Sequence, residues 1–175
     1  NGQPSIEDDA ASSALGKSEI LTKVTQDLKN ISSLDVLKDY IENLESLAIQ
    51  KTALNTVFAE GSSEASLVII SDVPGEDEDR NGLPFAGTNR RTLLASLNGI
   101  SLPLDSGQVY TTSLFNWRPP GNRSPQEIEL LVSTLILKKH IELIKPKVIL
   151  ALGNMTCKAL LDCKTNRSEE HTSEL

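Results

Sequence analysis

Leu67-Val68-Ile69-Ile70-Ser71, running straight into Asp72-Val73-Pro74-Gly75-Glu76-Asp77-Glu78-Asp79-Arg80-Asn81-Gly82-Leu83-Pro84-Phe85-Ala86-Gly87, decides the fold. A continuous apolar run of this length suits a strand covered on both faces, as in a parallel sheet between helices. It ends in a loop rich in Gly, Pro and carboxylates, with an aromatic ring, Phe85, at its far end. In open α/β sheets, ligands bind in the crevice at the carboxyl ends of the strands. The acidic loop therefore lies where chemistry is expected.

Working outward, two more strands are expected, at Val109 to Leu114 and at Val148 to Leu152. Thr56-Val57-Phe58-Ala59 suggests a short strand or an extended segment. Helices are expected between the strands. Arg90 to Leu97 is one, ended by Gly99. Ser124-Pro125-Gln126-Glu127 opens a long one, with Ser as N-cap, Pro at the first position and Glu at the third. Pro146 stops it. Gly153-Asn154 caps a last helix from Met155 to Leu161. Before the first strand, Ser32-Ser33-Leu34-Asp35 is a capping-box pattern, followed by Leu34, Leu37, Tyr40, Ile41 and Leu44 at helical spacing. Strands alternating with helices imply an α/β fold of three layers, αβα, with a central parallel sheet.

The organisation expected is a polar, flexible segment over 1–30 with a short helix near Ile20 to Leu28, then one domain over 31–166. The chain begins at Asn1 rather than Met, so residues before it are expected. Residues 167–175, Arg167-Ser168-Glu169-Glu170-His171-Thr172-Ser173-Glu174-Leu175, read as the translation of a common sequencing adapter. On that reading the true protein continues past Asn166, and a last core strand is missing from the sheet.

The chain has 175 residues, of which 38% are hydrophobic and 23% charged, as in ordinary globular proteins. Its apolar runs are too short to span a membrane, so no membrane partner is expected. Two cysteines, Cys157 and Cys163, imply no disulfide framework and suit a reducing cytoplasm. The formal charge of −7 excludes a protein that coats nucleic acid by bulk charge, but not one with a local basic patch. Arg80, Arg90, Arg91, Arg118 and Arg123 lie near the motifs that matter.

Three blocks together resemble one family, the family 4 type of uracil-DNA glycosylase. They are Asp72 to Gly87, the stretch Val109-Tyr110-Thr111-Thr112-Ser113-Leu114-Phe115-Asn116-Trp117-Arg118-Pro119-Pro120-Gly121-Asn122-Arg123, and Ile141 to Gly153. The resemblance covers about residues 34 to 165. It implies a bacterial, cytoplasmic and monomeric enzyme of base excision repair that acts on uracil-containing DNA. Such an enzyme extrudes the base, because a base inside a duplex cannot be reached, and then hydrolyses its N-glycosidic bond. Carried onto this chain, the family's site places Glu78 and Asp72 in catalysis, with Glu78 handling water. Phe85 would stack on the base. Backbone N–H groups around Asp72 and Val73 would meet a uracil carbonyl. Ser113 would face the base edge, and Arg118, Asn122 and Arg123 would meet DNA.

The chain departs from that family in three ways. The family's iron–sulfur cluster is held by four cysteines, and the matching positions here are Leu44, Leu47, Trp117 and Ser133. No cofactor and no metal are therefore expected, as in a cluster-free branch of alphaproteobacterial type. Ser113 replaces an Asn whose amide both donates and accepts, which loosens base discrimination. The family's His-Pro motif, which stabilises the leaving uracil, lies beyond the third expected strand, so the fragment as given is expected to lack a complete active site. The alternative is a DNA- or lesion-binding relative that has lost catalysis. Plainer readings remain for single residues: a solvated acidic turn for Glu76 to Asp79, phosphate contact or solvent for Arg90 and Arg91, and a structural role for His140.

Overall fold

The computed structural model describes residues 6–169. In chain order its elements are α1 (Ile6–Lys29), α2 (Leu34–Glu42), β1 (Ala59–Gly61), β2 (Leu67–Ser71), α3 (Glu76–Asn81), α4 (Gly87–Gly99), β3 (Val109–Ser113), α5 (Glu127–Ile144), β4 (Val148–Leu152) and α6 (Asn154–Glu169). The strands form one sheet in the order β1-β3-β2-β4. β2 pairs in parallel with β3 on one side and with β4 on the other, so Ser71 lies beside both Ser113 and Leu152. β1 runs antiparallel to β3 at the opposite edge. The sheet is thus mostly parallel rather than wholly so: the short segment expected near residues 56–59 enters three residues later, as an antiparallel edge.

Strand alternation divides the core between two faces. Val68, Ile70 and Tyr110 point to one face and pack with Leu137 and Ile144 of α5 and Ala159 of α6. Ile69 and Val109 point to the other face and pack with Phe85, Leu97 of α4 and Leu104. A third buried cluster lies beyond α5, where Val24 and Leu28 of α1, Leu37 and Ile41 of α2, Leu44, Leu47, Trp117, Val132 and Ile136 meet. The αβα layering read from the sequence is the one observed.

Three segments differ from expectation. Residues 6–29 form one helix, longer than the short one expected near Ile20 to Leu28, and its C-terminal half packs on the domain. Val24 and Leu28, four residues apart, share one buried face, and Lys17 reaches Glu127 at 2.9 Å. The acidic stretch after Gly75 folds into α3, with Glu78 and Asp79 buried. Helix α5 begins two residues later than the Ser-Pro pattern suggests. The Glu129 carboxylate accepts the Gln126 N–H at 2.7 Å, which makes Gln126 the N-cap in place of Ser124. Two boundary readings hold, whereas α4 starts at Gly87, ahead of Arg90, and α6 runs past Leu161 to Glu169. The Ser33 hydroxyl accepts the Val36 N–H at the start of α2, and α5 stops at Lys145, in the left-handed region before Pro146. The adapter reading of 167–175 falls largely on residues 170–175, outside the described residues.

Candidate active site

The carboxyl ends of β2 and β3 carry the residues singled out in the sequence. At the end of β2, the Leu114 N–H donates to the Ser71 carbonyl at 2.8 Å and the Phe115 N–H to the Asp72 carbonyl at 3.1 Å. The Asp72 side chain turns toward α6. Oδ1 accepts the Thr156 N–H at 2.8 Å and its hydroxyl at 2.6 Å, and Oδ2 accepts the Met155 N–H at 3.2 Å. The Val73 N–H that follows has no hydrogen-bond partner among the described residues.

α3 presents two buried carboxylates with different duties. Glu78 accepts the Gly75 N–H on Oε2 at 3.1 Å, and on Oε1 the Ala86 N–H at 3.1 Å and the Asn89 amide at 3.2 Å. An ionised carboxylate has about four acceptor positions, so Glu78 keeps one for a water or substrate proton. Asp79 faces elsewhere, accepting the N–H groups of Leu54 and Asn55 at 2.9 and 3.3 Å. The Asn55 amide returns a bond to the Asp79 carbonyl at 2.8 Å. Phe85 precedes Ala86 and is 8% exposed, with its ring among Ile69, Leu97, Leu104 and Val109. Because Ala86 bonds Glu78, the ring and the carboxylate are fixed by the same turn.

At the end of β3, Ser113 is buried and shares a hydrogen bond of 2.8 Å with the Ser71 hydroxyl. Residues 114–123 then lead to the basic loop. Arg118 Nε donates to the Asn122 side-chain oxygen at 2.9 Å, and its guanidinium approaches Glu76 of α3 at 4.0 Å. This joins the second sequence block to the first. Asn122 is exposed, with φ +55. Arg123 turns inward and makes a bidentate pair with the buried Glu129 at 2.9 and 2.7 Å. Burial alone would push the Glu129 carboxyl up, but hydrogen bonds from Arg123 and the Gln126 N–H, with the guanidinium charge, outweigh it and hold it below its ordinary value. Arg90 is likewise paired, with Glu60 of β1 at 2.8 Å. That pair lines a cleft of about 590 Å³ with Leu94, Asn98 and Leu104. Its charges are closed on each other, so we place the chemistry at the strand ends instead.

Leu44, Leu47 and Trp117, three of the four positions that would hold an iron–sulfur cluster, lie in one buried apolar cluster. The fourth, Ser133, is buried on α5 with its hydroxyl unpartnered. Three hydrocarbon or indole side chains and one hydroxyl offer no thiolate, so these residues do not fit such a cluster. Among the described residues, no group of three or more His, Cys, Asp or Glu could hold a metal ion.

Comparison with known families matches residues 58–173 to the uracil DNA glycosylase superfamily. The chain belongs to that superfamily. Among curated relatives, it is 37% identical over 123 residues to the type-4 uracil-DNA glycosylase of Saccharolobus solfataricus, covering 70% of this chain and 56% of that protein. It is 32% identical over 128 residues to the type-4 enzyme of Sulfurisphaera tokodaii, covering 73% and 58%. The enzyme of the same name from Pyrobaculum aerophilum is 32% identical over 137 residues, covering 78% and 69%. The chain thus spans somewhat over half the length of the first two relatives. Asp72, Val73 and Ser113 lie at the carboxyl ends of β2 and β3, with Glu78, Arg118 and Asn122 on the loops beyond them, while Phe85 packs its ring in the core and Arg123 is committed to Glu129. Sequence reading missed the partners that hold them: Asn89 on Glu78, Thr156 and Gly153 on Asp72, and Ser71 on Ser113. Only Glu129 had a local signal, its place three residues after Gln126.

Proposed function

We propose that this chain is a uracil-DNA glycosylase of the type 4-like kind, which flips uracil from DNA and hydrolyses its N-glycosidic bond in base excision repair. The observation that carries the reading is the buried Glu78 carboxylate. Three N–H donors hold it beside the Phe85 turn, with one acceptor position to spare. In this mechanism Glu78 orients a water toward the anomeric carbon as the bond to uracil breaks and the sugar takes on oxocarbenium character. The free Val73 N–H meets a uracil carbonyl, where charge gathers as the base leaves. Phe85 supplies the stacking ring and the Ser113 hydroxyl a base-edge contact. Arg118 and Asn122 meet the DNA backbone, and Arg123, paired with Glu129, braces their loop. The protein works as a monomer in the compartment that holds the DNA, from a cluster-free branch without iron–sulfur ligands. No helix among the described residues is long and apolar enough to cross a membrane.

A second reading, a lesion-binding relative without catalysis, draws on Ser113, whose hydroxyl is already engaged by Ser71. One experiment separates the two. The protein, produced with the residues that carry the family's His-Pro motif, is incubated with a uracil-containing oligonucleotide, and abasic sites are scored by alkaline cleavage. The expected result is uracil release that Glu78→Ala slows by about 10²-fold or more, the usual worth of a positioned base. Retention of the oligonucleotide with no release would favour the second reading.

A further inference from the structure

We infer that Asp72 is a positioning residue whose carboxylate ties the end of β2 to the start of α6, and not an acid or base in bond cleavage; the inference rests on the glycosylase reading above. Three strand ends meet at this one residue. Its carbonyl receives the Phe115 N–H after β3, and its carboxylate receives three donors from Met155 and Thr156 after β4. The Thr156 hydroxyl, whose one proton goes to the Asp72 carboxylate at 2.6 Å, lies 3.1 Å from the Ser71 carbonyl, and Thr156 is fully buried. The first turn of a helix leaves its N–H groups unpaired and carries partial positive charge, so a carboxylate from another segment caps it well. Gly153 makes room for the arrangement: a Cβ there would overlap the Asp72 carboxylate, and its φ of +145 is one that glycine tolerates.

The consequence falls on the next residue. The Val73 N–H has no partner among the described residues, and its direction is set from both sides. Asp72 fixes the chain before it. Pro74 after it confines Val73 to extended backbone. With about three of its four acceptor positions taken up by α6, the Asp72 carboxylate is spent on geometry. An acid or base must lie within hydrogen-bond reach of the reacting atoms. A positioning residue need only keep a donor aimed where charge develops, which can be worth as much.

The test compares Asp72→Asn, Thr156→Val and Thr156→Ser with the unaltered protein, again produced with the residues that carry the family's His-Pro motif. Amide hydrogen exchange is read at Val73, Met155 and Thr156. Uracil release is measured for its maximal rate, its KM and its pH profile. Asp72→Asn and Thr156→Val are each expected to speed exchange at Met155 and Thr156 by about tenfold. The maximal release rate should fall by roughly 10- to 100-fold, as for a misaimed donor. KM and the shape of the pH profile should stay the same, and Thr156→Ser, which keeps the hydroxyl, should restore both readouts. If Asp72→Asn removes a limb of the pH profile, the residue is an acid or base and the inference fails. Faster exchange with unchanged release would reduce Asp72 to a helix cap and also overturn it. If the unaltered chain releases no uracil, the glycosylase reading falls on its own. The exchange data still decide the tie, and unchanged protection at Met155 and Thr156 in Asp72→Asn would refute it.

Discussion

His140 is fully enclosed on α5, 4.8 Å from the Phe58 ring and 6.0 Å from Tyr110, and both its ring nitrogens lack a hydrogen-bond partner. The Tyr110 hydroxyl beside it is unpartnered too. Burial pushes the imidazole down to about 4. An unfolded chain takes up the proton near pH 6.5. Between those two values the unfolded state binds a proton that the folded state refuses, so stability falls as pH drops from about 6.5 toward 4, by as much as ~3 kcal/mol in all. Replacing His140 with Leu should flatten the urea midpoint across that window relative to the unaltered chain. Parallel curves for the two proteins would show that the ring finds a proton partner after all. The same scale shows what a sequence reveals about a site. Glu78 and Phe85 could be proposed as site residues because they sit in one contiguous block whose pattern resembles that of the glycosylase family. Asn89, Gly153 and Thr156 could not, because their meaning lies in contacts formed only when distant segments fold together.

Elements were more legible than contacts. β2, β3 and β4 stood out as short apolar runs between turn residues, and Pro146 marked the end of α5. α1 was harder, because its buried face is narrow and its composition polar, and only docking on the domain makes it a fixed helix. The antiparallel placing of β1 had no local signal either. Its closest approach is at Gly61, where a Cβ would strike the backbone carbonyl of Val109. β4 is largely exposed. It lies at the edge of the sheet, with Val148 57%, Leu150 45% and Leu152 44% exposed along the face that α4 covers over β2 and β3. A flat apolar edge offers unpaired backbone to other chains, and a lysine on such a strand blocks that pairing. Leu150→Lys should therefore raise the temperature at which heated samples begin to scatter light. An unchanged onset would mean that the edge is not where association starts.

At the level of the whole molecule, two of the three core clusters hold the sheet, and the third joins α1, α2 and the basic loop to α5. Trp117 is the largest side chain in that third cluster, with its indole N–H on the Thr56 hydroxyl at 3.2 Å. If packing here replaces a metal cluster, the purified chain should contain far less than one iron or acid-labile sulfide per molecule. Trp117→Ala should then cost about 3–5 kcal/mol, the range for emptying a large core site, read from urea denaturation. Stoichiometric iron, or a negligible cost, would contradict this. The αβα architecture could be read from the order of strands and helices alone, but this cluster could not, since it is built from pieces more than a hundred residues apart. Trp117 is also the only tryptophan in the chain, it is 1% exposed, and it is joined directly to Arg118 at the margin of the crevice. The molecule thus carries its own optical reporter. Emission from one indole held out of water tracks the integrity of the third core cluster, and a shift in colour or intensity when an oligonucleotide is added would report, without any label, whether DNA meets the loop at Arg118 as proposed.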